Sequence, residues 1–117
     1  MITLYGMSSP NVRKVVLMLE ETGLAYEFKY VDVFGGEQFN EDFRKLNPNS
    51  KVPVLVDPDG PDGELTLFES GAILIYLAEK TGKFFPKSAN GKHIAIQWVM
   101  FQMGNIGPAL GNALHFR

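Results

Sequence analysis

Apolar residues recur along this chain with two periods, and the switches between them mark out the elements. Ile2 to Tyr5 reads as a short buried strand. Pro10 suits a first helical position, where its missing N–H has no intrahelical partner to lose. Val12, Val15, Val16 and Leu19 then follow helical spacing, Glu20 and Glu21 fall on the outer face, and Gly23 stops the helix. Tyr26 to Val33 alternates well enough for a second strand, and a strand–helix–strand unit of this kind makes a right-handed parallel crossover. Gly35-Gly36 opens a loop. Gln38 to Leu46 is predicted to be a short helix with Phe39, Phe43 and Leu46 on one side, broken by Asn47-Pro48-Asn49.

Val54 to Val56 and Leu65 to Phe68 are predicted to form a hairpin. The intervening Asp57 to Gly63, with two Pro and two Gly, is expected to be a turn. A helix from Ser70 to about Lys80 follows, with Ile73, Leu74, Leu77 and Ala78 as its buried stripe, ended by Thr81-Gly82. The order βαβ, small helix, ββ, helix is that of an α/β, thioredoxin-like domain with a four-stranded mixed sheet, expected over residues 1–82. A linker, 83–87, leads to a helical segment, 88–117, read as the start of an all-α domain. Ile94, Trp98, Phe101 and Gln102 share a face there, and Gly104, Gly107, Pro108 and Gly111 are expected to weaken or bend the helix. The pattern runs uncapped to Arg117, so the expectation is a piece of a longer protein.

Composition narrows the function classes. Eleven Lys and Arg against 13 Asp and Glu, with no basic run, disfavour nucleic acid and anionic membrane surfaces. No apolar stretch is long enough to span a bilayer and no signal peptide pattern opens the chain, which points to a cytoplasmic protein. With no cysteine, disulfide frameworks, Cys-X-X-Cys redox pairs and thiolate metal sites are excluded. His93 and His115 are far apart and lack ligand spacing, so no metal site is expected.

Two motifs carry candidate chemistry. Lys51-Val52-Pro53-Val54-Leu55 places a Pro at a strand entrance, and Phe68-Glu69-Ser70-Gly71-Ala72-Ile73 places an acid and a hydroxyl at a helix start. The free N–H groups and dipole of that helix, with the Ser70 hydroxyl, suit a carboxylate, while Glu69 can accept from an adjacent ammonium. Together they suit the two charged ends of an α-amino acid. The plainer reading, that Glu69 and Ser70 only cap the helix, competes for this pair taken alone.

With Asn47 to Leu55 and Phe68 to Leu77 at this spacing behind a βαβ unit, the chain resembles the N-terminal half of cytosolic glutathione transferases. Ser9-Pro10-Asn11, Gly36 with Gln38, and Gly104 to Gly111 look like the nu class, which includes bacterial disulfide-bond reductases and a yeast nitrogen-regulator prion protein. The resemblance implies glutathione as substrate or co-substrate, no metal, a homodimer, and a disulfide or small electrophile as second substrate. It implies a cis Val52–Pro53 bond, with the Val52 main chain docking the cysteinyl part of glutathione as an added strand would. Gln38 and Lys51 are candidates for the glycyl carboxylate, with Gln38 favoured by the nu-class pattern. Arg13 and Lys14 are read as solvated. The thiol activator is open between Asn11, Ser8 and Ser9: serine-type transferases select Ser8, the nu pattern selects Ser9, and Tyr5 ranks behind them. Lacking a cysteine of its own, the chain is expected to draw electrons from glutathione itself if it reduces disulfides, using two molecules. The competing reading is a silent, transferase-like regulatory or interaction module.

Overall fold

The computed structural model describes residues 1–108. The chain divides into two compact units, Met1–Leu77 and Ala78–Arg117. In the first, β1 (Ile2–Gly6), α1 (Pro10–Thr22) and β2 (Tyr26–Tyr30) form the expected crossover, with β1 and β2 parallel. A 3₁₀ turn (Glu37–Phe39) and α2 (Glu41–Leu46) lead to the antiparallel pair β3 (Val54–Gly60) and β4 (Gly63–Phe68), and α3 (Ser70–Thr81) follows. The mixed sheet has the order β2-β1-β3-β4, with β3 antiparallel to β1.

The two-residue period of the central strands sorts the core. Leu4 pairs with Leu55, and both enter a cluster with Ile2, Val12, Val15, Leu19, Ile73 and Leu77, which seats α1 and α3 on one face. Tyr5 pairs with Val54, and these turn to the other face, where Val31, Phe43 and Leu46 bring in α2. Each wholly buried leucine contributes about 2 kcal/mol of apolar transfer. Gly6 is needed where β1 meets α1, since a Cβ there would sit 2.6 Å from Val12 Cγ1. Gly23 ends α1 at φ +75°, its N–H bonding to the Leu19 carbonyl at 3.1 Å.

Three sequence expectations change. The segment from Asp57 to Gly63 is not all turn: β3 runs on to Gly60, and a register shift between Asp57 and Gly60 accommodates Pro58, which has no N–H for the ladder. The second strand stops at Tyr30 rather than Val33, because Asp32 Oδ1 takes the Gly35 N–H at 2.9 Å and turns the chain away. The small helix is interrupted at Asn40, whose side chain caps α2 through the Asp42 N–H at 2.9 Å. That restart shifts the helical phase, so Phe43 is buried while Phe39 is exposed.

In the second unit, Ser88 caps α4 (Ala89–Phe101) by accepting the Gly91 N–H at 3.0 Å. Trp98 and Phe101 meet edge to face at 5.7 Å, and with Ile94 they stay exposed. Beyond Phe101 the helix widens into a π-helical turn, Gln102–Ile106, that contains Gly104. Gly111, His115 and the end of the expected 88–117 segment lie outside the described residues. Among the described residues no helix is long and apolar enough to cross a membrane.

Candidate functional site

The entrance to β3 is built by a buried asparagine. Asn47, at the end of α2, is 2% exposed. Its Nδ2 donates to the Lys51 carbonyl at 2.9 Å, its Oδ1 accepts from the Asn49 N–H at 2.9 Å, and its own carbonyl accepts from Ser50 N–H at 2.9 Å. These bonds fold 47–51 into a closed loop that delivers Val52 to the strand entrance. The Val52–Pro53 bond is cis. Val52 precedes Val54↔Phe68, the first pair of the β3–β4 ladder, and Val54 also pairs with Tyr5 of β1. Lys51 is exposed, with its side chain outside the loop's bonding.

At the other motif, Glu69 has φ +73°, a left-handed conformation that costs a residue with a Cβ about 1–2 kcal/mol. Its carbonyl nevertheless accepts the first bond of α3, from Ile73 N–H at 3.0 Å, so Glu69 is the residue at which the helix begins. Ser70 is then the first helical residue and is 2% exposed, whereas the Glu69 side chain is exposed. The left-handed acid and the buried hydroxyl thus stand side by side at the helix start, in a conformation that the surrounding fold must hold. Lys14 of α1, read as solvated in the sequence, is half-buried. Its ammonium is pushed below the usual lysine range by burial, against the opposing charge of Glu69.

The start of α1 separates the thiol candidates. Ser9 is the N-terminal cap residue of α1, with extended backbone and a carbonyl that accepts Arg13 N–H at 2.9 Å, but its side chain makes no capping bond. Asn11 is exposed in the first turn. Ser8 Oγ accepts from Arg13 Nη2 at 3.1 Å and lines an apolar groove of about 460 Å³ between α1 and β2, with Met7, Val12, Val16, Leu17, Phe28 and Tyr30. Tyr5 lies on the α2 face of the sheet, against Phe43 and beneath the Lys29 ammonium. Gln38 sits in the 3₁₀ turn, with its Oε1 buried and no donor paired to it. Among the described residues no group of three His, Cys, Asp or Glu side chains is placed to hold a metal ion.

Sequence reasoning missed two features, Asn47 as the keystone of the loop and the partial burial of Lys14, whose ammonium feels the charge of Glu69. A buried side chain in a chain-breaking tripeptide and a cation on a helix flank carry no periodic signal. Only tertiary packing reveals them.

Comparison with known proteins agrees with this geometry. The sequence pattern of the glutathione S-transferase N-terminal domain matches residues 8–80. The disulfide-bond oxidoreductase YfcG of Escherichia coli is 46% identical over 118 residues, covering 99% of this chain and 55% of that protein. A crystal structure of a glutathione transferase from Burkholderia graminis, with two glutathione molecules bound per subunit, superposes with a TM-score of 0.91 at 57% identity, covering 94% of this chain and 46% of that one. A glutathione transferase from Pseudomonas putida with one glutathione disulfide bound per subunit superposes with a TM-score of 0.91 at 47% identity, covering 94% and 48%. The chain spans about half the length of these relatives. A pattern covering most of the chain, on a fold built as these structures are, shows that it belongs to the glutathione S-transferase family, through that family's N-terminal domain.

Proposed function

We propose that the protein containing this chain binds glutathione, stabilises its thiolate and uses it to reduce disulfides, with transfer to a small electrophile as the related activity. The observation that carries this reading is the strained Glu69 beside buried Ser70 at the start of α3. The γ-glutamyl carboxylate sits at Ser70 and the α3 N-terminus, and its ammonium donates to Glu69. The cysteinyl main chain docks along Val52 ahead of Pro53, and Gln38 or Lys51 meets the glycyl carboxylate. The thiolate is held at the start of α1 by Ser9 and Asn11, with the helix N-terminus lowering the thiol pKa. Ser8 is the weaker choice, since its hydroxyl faces the groove between α1 and β2, where Arg13 bonds to it.

With no cysteine in this chain, the chemistry proposed for it runs through two glutathione molecules. One thiolate attacks the substrate disulfide, forming a mixed disulfide and releasing one substrate thiolate, which takes up a proton. The second thiolate attacks the glutathione sulfur of the mixed disulfide, releasing the other substrate thiolate and glutathione disulfide. Two glutathione molecules per subunit in the Burkholderia graminis relative support this stoichiometry. The same reading includes nu-class membership, a homodimer, a cytoplasmic location, and the division into 1–82, a linker at 83–87 and a helical segment 88–117. The test is turnover by the full-length gene product with glutathione and hydroxyethyl disulfide, and with a chlorodinitrobenzene electrophile. Disulfide turnover is expected. Glutathione binding with neither turnover points instead to a non-catalytic binding module, and no binding removes the proposal.

A further inference from the structure

The groove between α1 and β2 arises where two periods meet. In α1, Val12 and Val16 stand one helical turn apart, as do Arg13 and Leu17 beside them. In β2, Phe28 pairs with Leu4 of the core that seats α1, so Phe28 and Tyr30, two residues apart, both turn toward the helix. β2 is the edge of the sheet, with no strand beyond it to close the gap. The result is a cavity of about 460 Å³, within the ordinary range of small-molecule sites. Leu17, Phe28 and Tyr30 are 63%, 41% and 62% exposed along it. Large apolar side chains left open side by side, with a polar group at the rim, form a binding surface rather than a scatter of single surface residues.

We propose that this groove binds an amphiphilic carboxylate of the medium-chain fatty acid class, with its head at Arg13 and its chain between α1 and β2. The site lies apart from Glu69 and Ser70, and the inference does not depend on glutathione binding. Charge decides the head group. Arg13 is the one charged residue among those lining the groove. Among the described residues its guanidinium has one polar partner, the Ser8 hydroxyl at 3.1 Å, and no carboxylate. That bond holds the guanidinium fork beside the groove and leaves its other N–H groups for an incoming anion, whose two oxygens suit the fork. The lining decides the tail. Val12, Val16 and Leu17 are aliphatic, and Met7 is unbranched and adapts to the shape of a chain. The cavity of about 500 Å³ on the α2 face lacks this definition, because Lys29 lines it together with Glu37 and Asp42 and neither sign of charge prevails.

Calorimetry and amide shift mapping on the full-length, ¹⁵N-labelled protein test it, with decanoate, octanoate, decanol and decyltrimethylammonium as probes, each below its micelle concentration. Decanoate is expected to bind saturably, with shifts centred on residues 12–17 and 28–30. Octanoate should bind roughly tenfold more weakly, the scale of two methylenes leaving an apolar site. Arg13→Gln is expected to weaken decanoate roughly three- to tenfold, the scale of a charge-assisted contact at a partly exposed site, and to leave decanol unchanged. Leu17→Gln, at an exposed position, should weaken decanoate and decanol alike. Decanol or decyltrimethylammonium bound as tightly as decanoate, or decanoate held equally by wild type and Arg13→Gln, overturns the assignment of a carboxylate. Shifts spread over the surface without saturation overturn the site itself in favour of adventitious binding. Decanoate that leaves these residues unshifted means that another segment of the full-length protein fills the groove, and shifts there on dilution of the ligand-free protein mean that a second copy does. Either result overturns the proposal.

Discussion

The strained backbone at Glu69 makes a prediction that separates folding from function at one residue. Replacing Glu69 by Ala removes the carboxylate but keeps a Cβ at φ +73°. Replacing it by Gly removes both. The left-handed conformation costs a residue with a Cβ about 1–2 kcal/mol, and Gly is free of that cost. Against this, Gly gives the unfolded chain extra freedom worth about 0.4–1 kcal/mol. The difference leaves Glu69→Gly more stable than Glu69→Ala by about 0.5–1 kcal/mol. Loss of the carboxylate and its interaction with Lys14 is common to both variants and cancels. In urea, with a slope of about 2 kcal/mol per molar, the Gly variant should unfold roughly 0.3–0.5 M later, at unchanged slope. Both variants lose a charge-assisted hydrogen bond to the ligand ammonium, worth about 1.5–3 kcal/mol, so glutathione affinity falls roughly ten- to hundredfold in each. Paired denaturation curves and calorimetry on the full-length protein check both halves. An Ala variant as stable as the Gly variant would refute the claim that the fold carries strain at this turn for the sake of its side chain.

Other residues give independent tests. Asn47→Ala removes two 2.9 Å side-chain hydrogen bonds from a buried site and should cost about 2–3 kcal/mol of stability, seen as an earlier urea midpoint, and weaken glutathione binding. A change under about 0.5 kcal/mol contradicts its place as the loop's keystone. Tyr76 donates to Asp57 Oδ2 at 2.5 Å, and burial first, then that bond, push its hydroxyl up to about 12 from an ordinary 10.0. The folded protein thus keeps this proton where the unfolded chain gives it up, so the contribution is complete below the ordinary phenol value and drains away as pH rises through about 12. Solvent screening of this partly exposed group reduces it to about 1 kcal/mol, and Tyr76→Phe should flatten that part of a stability-versus-pH curve. Ser9→Ala and Asn11→Ala should each raise the thiol pKa of bound glutathione by about one unit, the scale of one hydrogen bond, while Ser8→Ala leaves it near its starting value. Thiolate absorbance titrations read this, and the reverse ranking would reassign the thiol to Ser8.

Where the chain's own periodicity decides an element, the sequence was a sufficient guide. The spacing of Val12, Val15 and Leu19 locates α1, and the alternation that sends Val54 and Leu55 to opposite faces locates β3. Glu69 and Ser70 were legible as a pair because an acid and a hydroxyl ahead of an apolar helical stripe are a local signal. The strain at Glu69 was not, since φ is set by how α3 must meet β4. The length of β3 was misjudged because Pro58 and Gly60 read locally as turn residues, whereas the sheet absorbs them through a register shift. Phe39 was misplaced by a helical phase that Asn40 resets. Lys14 and Asn47 owe their importance to neighbours far along the chain or buried beneath it, which no short window contains.

The account stands most directly on a residue-resolved titration of the full-length, ¹⁵N-labelled protein with glutathione. Saturable amide shifts centred on Val52, Glu69, Ser70 and Gly71, with smaller ones at Ser9 and Asn11, are the predicted result. Shifts confined to the groove between α1 and β2, or no saturable shifts at all, would contradict it.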